Sequence, residues 1–220
     1  MNDLFANKRI IIAGASGFGR EVAWVLKRMD HGAEIAGFCD DDPGKAEFVE
    51  EVAPYLGGVE ETIASYADCS FFCAIGNNQI RKKVCSLFVE AGVDIAKVID
   101  PSSVVAPKVV VGAGSFIGIN SVVSVSCSIG SGVIINHNVT VGHDVNVQDF
   151  AQLCPGVCVS GGCEIGEGAL LGTLAGTIPL KRIGAWATLG AGVTTLRNVP
   201  DGTSMIRLGA RAGKSEASAR

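Results

Sequence analysis

From Ile99 onward an aliphatic residue returns at every sixth position. The series runs Ile99, Val105, Val111, Ile117, Val123, Ile129, Ile135, Val141, Val147, Leu153, Val159, Ile165, Leu171, Thr177, Ile183 and Leu189, and only Thr177 breaks it. Glycine follows directly at 112, 118, 130, 142, 166, 172, 184 and 190. An α-helix repeats every 3.6 residues and a strand every 2, so neither sustains a period of six. A chain that runs straight, turns, and closes a coil in three such steps does. The aliphatic residue then points into a narrow prism, and the glycine beside it is expected to let the backbone turn. One rung cannot bury its own apolar face, whereas stacked rungs share a continuous core. The spacing predicts a parallel β-helix, about five coils deep, over residues 99–196.

The first 95 residues follow a different pattern. "RIIIAG" (Arg9–Gly14) has the form of a buried strand, "GASGFG" (Gly14–Gly19) of a glycine-rich turn and "REVAWVLKRM" (Arg20–Met29) of an amphipathic helix. A second strand, Glu34–Gly44, ends in three aspartates. A third, Ser70–Asn78, leads into the helical segment Gln79–Gly92. The order β–loop–α–β–α–β–α describes a small α/β unit with a parallel sheet. Glycines in the first turn allow close approach of a diphosphate, and a helix N-terminus supplies amide donors and a favourable dipole. Three parts are expected: a Rossmann-like domain over 1–95, an all-β domain over 96–213 and an unstructured tail over 214–220.

Composition removes several function classes. The formal net charge is −4, and no stripe of arginine and lysine alternates with aromatics, which argues against a nucleic-acid partner. No apolar run reaches membrane-spanning length, and the start "MNDLFANKRIIIAGASG" lacks the features of a secretory signal, so a cytoplasmic location is expected. The eight cysteines then read as reduced thiols packed as small hydrophobes. Cys154, Cys158 and Cys163 lack zinc-ligand spacing, and no metal site is expected. A dehydrogenase reading fits the glycine turn and its distance to Asp40. However, the rest of the chain offers no hydride-transfer domain, and neither Tyr55 nor Tyr66 has a lysine four residues on.

Together, "GASGFGREVAW", "FCDDDP", "FFCAIGNNQIRKKV", the hexads and "VGHDVNVQDF" resemble the NeuD/PglD-type sugar O-/N-acyltransferases of the hexapeptide-repeat superfamily. The resemblance covers nearly the whole chain. It implies a left-handed β-helix, a homotrimer, and acetyl-coenzyme A bound between neighbouring prisms. It further implies a nucleotide-sugar pocket lined by Ser16, Gly17, Asp40, Asp41, Gly76 and Asn77, with Asn136 positioning the sugar. The family's catalytic histidine is followed by an acidic residue, and His143-Asp144 matches that place. His137, one hexad earlier, is expected to be an ordinary surface histidine. Coenzyme contacts are implied for Gln152, Gly161, Gly190 and Arg211. Three departures stand out: Gln152 replaces a second histidine, Gly142 replaces an acidic residue, and "MIRLGARAGK" lacks the usual proline near the C-terminus.

The chemistry expected of His143 is general-base catalysis. Acetyl transfer from a thioester to an amine requires loss of a proton as nitrogen attacks, and imidazole suits that task near neutral pH. Asp144 would fix the ring tautomer, and the Gly161 amide would receive the developing oxyanion. The expected activity is N-acetylation of a nucleotide-linked 4-amino deoxysugar, UDP- or another NDP-linked, for bacterial surface glycan synthesis. The alternatives are O-acetylation of a sugar such as sialic acid, and a non-catalytic trimer that binds nucleotide sugar.

Overall fold

The computed structural model describes residues 8–29 and 33–206. The N-terminal unit runs β1 (Arg9–Ala13), α1 (Gly17–Arg28), β2 (Glu34–Cys39), a short 3-10 helix (Pro43–Phe48), α2 (Val59–Ser65), β3 (Ser70–Cys73), α3 (Asn78–Ala91) and β4 (Asp94–Ile95). Its sheet is parallel throughout, in the order β2-β1-β3-β4. The triple isoleucine of β1 is buried on both faces, with Ile10 and Ile12 packed on the α1 side and Ile11 on the side of α2 and α3. Continuous apolar sequence is what a doubly covered parallel strand requires. β2 and β3 are shorter than expected. β2 ends at Cys39 because Asp40 and Asp42 turn the chain through hydrogen bonds to local amides, and Pro43 opens the 3-10 helix.

Beyond Val98 the chain lays down two-residue strands on three faces. Face 1 begins at Val98–Ile99 and includes Ile134–Ile135 and Gln152–Leu153. Face 2 begins at Val104–Val105 and includes Thr140–Val141 and Cys158–Val159. Face 3 begins at Val110–Val111 and ends at Arg182–Ile183. The faces hold seven, six and five strands, each paired in parallel with the strand one coil away, as Ile134 is with Gln152. The periodic aliphatics point inward together with the residues two positions before them. Thus Val133, Val139, Val145, Ala151, Val157, Cys163 and Ala169 are all fully or almost fully buried. Each large interior side chain contributes about 1.5–3 kcal/mol of hydrophobic stabilisation, which makes the stack a single core.

Two expectations about this solenoid need correction. It extends past residue 196 to Ser204–Met205, for about six turns in all. Near the end Ile183 pairs with Val199 and Thr188 with Ser204, two residues short of a full coil, so the period of six loses register after Thr195. The periodic glycines also have a different purpose. The left-handed residue of each corner lies two positions later, as at Asn138, Asp144 and Phe150 (φ 56, 58 and 58). Gly142 is required instead by close stacking, because a Cβ there would stand 2.7 Å from the Gly161 nitrogen of the next coil.

The two units are docked along face 1 and the corner between faces 3 and 1. Phe116 and Ile134 point outward from face 1 yet are buried, because Phe18 and Phe72 of the N-terminal unit cover them. Arg28, at the end of α1, donates to the fully buried carboxylate of Asp100 on the first coil at 2.8 Å. Among the described residues no helix is long and apolar enough to cross a membrane.

Candidate functional site

His143 follows face 2, where the chain leaves strand Thr140–Val141 and turns toward face 3. The corner fixes its ring. Asp144 adopts the left-handed conformation that aspartate tolerates better than most residues, with its amide donating to the Val125 carbonyl at 3.1 Å. Its carboxylate Oδ2 lies 2.7 Å from His143 Nδ1. A carboxylate can only accept, so Nδ1 carries the proton and Nε2 presents a lone pair. The other side of the ring rests on Gly161 of the next coil, where a Cβ would meet Nε2 at 2.6 Å. Glycine at 161 therefore makes room for the imidazole. The side chains of both His143 and Asp144 remain about two-thirds exposed (65% and 64%), so a reactant can reach the pair.

His137 occupies the preceding corner and differs in every respect. Its Nδ1 accepts from the Ile119 amide at 3.2 Å, so Nε2 carries the proton and faces Glu21 of α1 at 3.7 Å. The ring is only 22% exposed and packs edge-on against Phe116. Its lone pair is already engaged, and the residue belongs to the contact between the two units. Asn136 stands beside it, with Oδ1 accepting from the His137 amide at 2.8 Å. Gly190 lies in the same corner column, three coils on, where its amide donates to the Met205 carbonyl.

Gln152 points outward from face 1 directly above Ile134. Its Nε2 lies 3.9 Å from Cys154 Sγ, and its buried Oε1 is the one such side-chain oxygen or nitrogen among the described residues without a hydrogen-bond partner. A buried acceptor of this kind is costly unless something outside the chain satisfies it. Within the β-helix of one chain the expected site residues therefore divide between two places. His143, Asp144 and Gly161 share one corner, whereas Asn136, Gly190 and Gln152 lie across face 2 from them. Arg211 is outside the described residues, as is the tail 214–220.

In the N-terminal unit a cavity of about 220 Å³ opens at the carboxyl ends of β1, β2 and β3. It is lined by Ser16, Asp40, Asp41 and Gly76, and also by Lys45, Ile75 and Ile80. Ser16 caps α1 by backbone alone and spends no side-chain hydrogen bond on the cap. Asp40 is more committed: it accepts from the Ala15 amide at 3.0 Å, from the Asp42 amide and from Lys45 Nζ. Asp41 Oδ1 accepts from the Val59 amide and so caps α2. Gly17 and Asn77 stand beside the cavity rather than in its wall. Asn77 accepts from the Gln79 and Ile80 amides, and so serves as the side-chain cap of α3. Lys45 escaped the sequence reading; its only signal was a cation five residues after the aspartate that closes β2.

Among the described residues no group of three or more His, Cys, Asp or Glu side chains converges as metal ligands would. The cysteines are free thiols. Most are buried, and burial pushes Cys39 up to about 12, whereas Cys158 is exposed on face 2.

Comparisons with known proteins bear on the fold and on the class of enzyme. Residues 9–88 match the family described as the PglD N-terminal domain. The chain superposes on a mutant of perosamine N-acetyltransferase from Caulobacter crescentus in complex with CoA and GDP-perosamine. The identity is 29% and the TM-score 0.85, with 92% of this chain and 95% of that one covered. It also superposes on the acetyltransferase domain of PglB from Neisseria gonorrhoeae in complex with acetyl coenzyme A, at 28% identity and TM-score 0.82, covering 91% and 97%. A third match is WeeI from Acinetobacter baumannii, at 25% identity and TM-score 0.80, again covering 91% and 97%. A search of curated protein sequences returns no match.

Proposed function

We propose that this chain, a sugar acetyltransferase by its likeness to solved enzymes, belongs to the hexapeptide-repeat superfamily with a PglD-type N-terminal domain and N-acetylates a nucleotide-linked amino sugar using acetyl-coenzyme A. The observation that carries the catalytic part is the His143–Asp144 pair. A carboxylate 2.7 Å from Nδ1 leaves Nε2 as an oriented base with an unengaged lone pair. As the sugar nitrogen attacks the thioester carbonyl, Nε2 takes its proton, and Asp144 stabilises the imidazolium that forms. The C–N bond forms, the C–S bond breaks, and the thiolate of coenzyme A leaves. The Gly161 amide, stacked against the ring, is the proposed donor to the oxyanion.

The cavity at the ends of β1, β2 and β3 is the proposed nucleotide site, where Ser16, the loop at Gly76 and Lys45 would meet the phosphates. Asp41 is proposed for the ribose or base. Asn136 would hold the sugar, and Gln152 and Gly190 the coenzyme. These groups lie across face 2 from His143, so the reading requires a second chain to bring its histidine to this chain's acceptor corner. A homotrimer meets that requirement. Face 2 suits such contact, since its outward column of Val104, Val122, Thr140, Cys158, Gly176 and Thr194 carries no charge. The proposed location is the cytoplasm, where acetyl-coenzyme A and nucleotide sugars are made.

The deciding assay offers acetyl-coenzyme A with UDP-, dTDP- and GDP-linked 4-amino sugars beside free sialic acid. Amide formation on a nucleotide amino sugar is the expected result. Transfer to a hydroxyl alone would contradict the N-acyl reading, and no transfer to any acceptor would contradict the acetyl-transfer assignment.

A further inference from the structure

One of the largest fully buried side chains in the described residues is charged. Arg81 has no solvent exposure, and it lies on the buried stripe of α3 with Val84, Cys85 and Phe88. Its Nε donates to the Gly132 carbonyl at 2.8 Å, and Nη2 donates to the Phe150 carbonyl at 2.8 Å and to Asn78 Oδ1 at 3.0 Å. Nη1 donates to the carbonyls of Ile75 at 2.9 Å and Gly76 at 3.3 Å. Gly132 and Phe150 are corner residues of consecutive coils, whereas Ile75 and Gly76 line the cavity proposed for the nucleotide. One guanidinium thus spans the β-helix and the loop at the cavity wall.

Among the described residues every partner is a neutral oxygen, and no carboxylate meets the positive charge. Burial lowers the guanidinium to about 10, which still leaves it protonated at neutral pH. A trans peptide points its C=O and N–H in opposite directions. Drawing the carbonyls of Ile75 and Gly76 onto Arg81 therefore turns the N–H groups of Gly76 and Asn77 away from it. Adjacent amides at the start of a helix, backed by a buried cation held only by neutral oxygens among the described residues, make a receptor for an anion such as a diphosphate.

We propose that Arg81 is the positioning residue of the nucleotide site: it pins the 75–77 turn to the β-helix and so aims its amides at the diphosphate. This rests on the nucleotide-sugar reading above and adds that nucleotide affinity depends on docking of the two units through this one side chain. Lys82 supplies the contrast. It also bridges the units, pairing with Glu167 and lying near the Phe150 and Trp186 rings, but it touches no carbonyl of the turn.

The test is calorimetry on the full chain with UDP, GDP, dTDP and coenzyme A added separately. Arg81→Met is expected to weaken the preferred diphosphate by about tenfold or more, the size expected for lost charged hydrogen bonds, while coenzyme A affinity stays within about twofold. Arg81→Lys should recover part of the loss, and Lys82→Ala should match the wild type. Should Arg81→Met fail to fold, hydrogen exchange on the wild type replaces it, with protection expected at the Gly76 and Asn77 amides when diphosphate is added. Wild-type affinity in Arg81→Met, or no protection at those amides, overturns the inference alone. A wild-type chain that binds none of the three diphosphates overturns the nucleotide-sugar reading and the inference with it.

Discussion

Two corners of the β-helix, six residues apart, each carry a histidine, and the two rings hold opposite tautomers. At His143 the carboxylate of Asp144 accepts a hydrogen bond from Nδ1–H and leaves the Nε2 lone pair unengaged. At His137 the Ile119 amide uses the Nδ1 lone pair, and the Nε2 proton faces Glu21. The repeat brings both residues to the same kind of turn. What separates them is their surroundings: α1 covers the first corner, whereas the second projects from the edge of face 2. A periodic scaffold gives its corners similar backbone geometry, and the neighbours decide which corner does chemistry.

The largest test of this contrast removes each ring in turn. His143→Ala should lower kcat by about 10² to 10⁴, the usual general-base contribution, with a modest change in KM. His137→Ala should leave kcat within about threefold, measured by release of the coenzyme A thiol. A second variant moves the ring without deleting it. Gly161→Ala puts a methyl 2.6 Å from the present Nε2 position and should cost up to about 10²-fold in kcat, as small misplacements of a reacting group do. Normal turnover in that variant would show that the ring's seat is immaterial. A smaller effect is expected at Asp144, where Asp144→Ala frees the tautomer and should lower kcat by about tenfold or more while KM for acetyl-coenzyme A holds.

The smallest effects concern the covered corner. Burial by itself would raise the Asp100 carboxyl, but hydrogen bonds from Arg28 and Ser102 outweigh it and hold the group below the usual carboxylate range. A carboxyl depressed in the folded state stabilises it above the unfolded pKa, and that stability is lost as pH falls through the lower folded value. Thermal unfolding followed from pH 6 down to 3 should show Tm falling over the acid part of that range, with a shallower fall in Asp100→Asn. His137→Ala should lower Tm by a few degrees through lost packing on Phe116. An unchanged Tm would mean that the covered corner contributes nothing to docking of the units.

The features legible in the sequence were those written in side chains. The interior of the prism repeats a residue type, so its period and position could be read from Ile99 to Leu189. A histidine followed by an aspartate states its own pairing, because adjacent residues at a corner share one surface. What depended on the backbone left little trace. The coil shortened between Thr195 and Val199 escaped because a missing pair of residues looks like the end of a repeat. The glycines after the aliphatics suggested turning when their constraint is the approach of the next coil. Asn77 was expected in the pocket wall but caps α3, and Asp40 spends its oxygens on the Ala15 amide and Lys45. Arg81 could have been suspected, since it shares a helical stripe with Val84, Cys85 and Phe88. Its partners are mostly carbonyl oxygens, which any residue provides.

The most direct test of the base is the pH dependence of kcat/KM for acetyl transfer, measured on the wild type and on His143→Ala. Imidazole acting as the base predicts an acidic limb in the wild type, where protonation blocks the lone pair, and no such limb in the residual activity of the variant. An acidic limb that persists unchanged in His143→Ala would assign the base elsewhere and contradict the account.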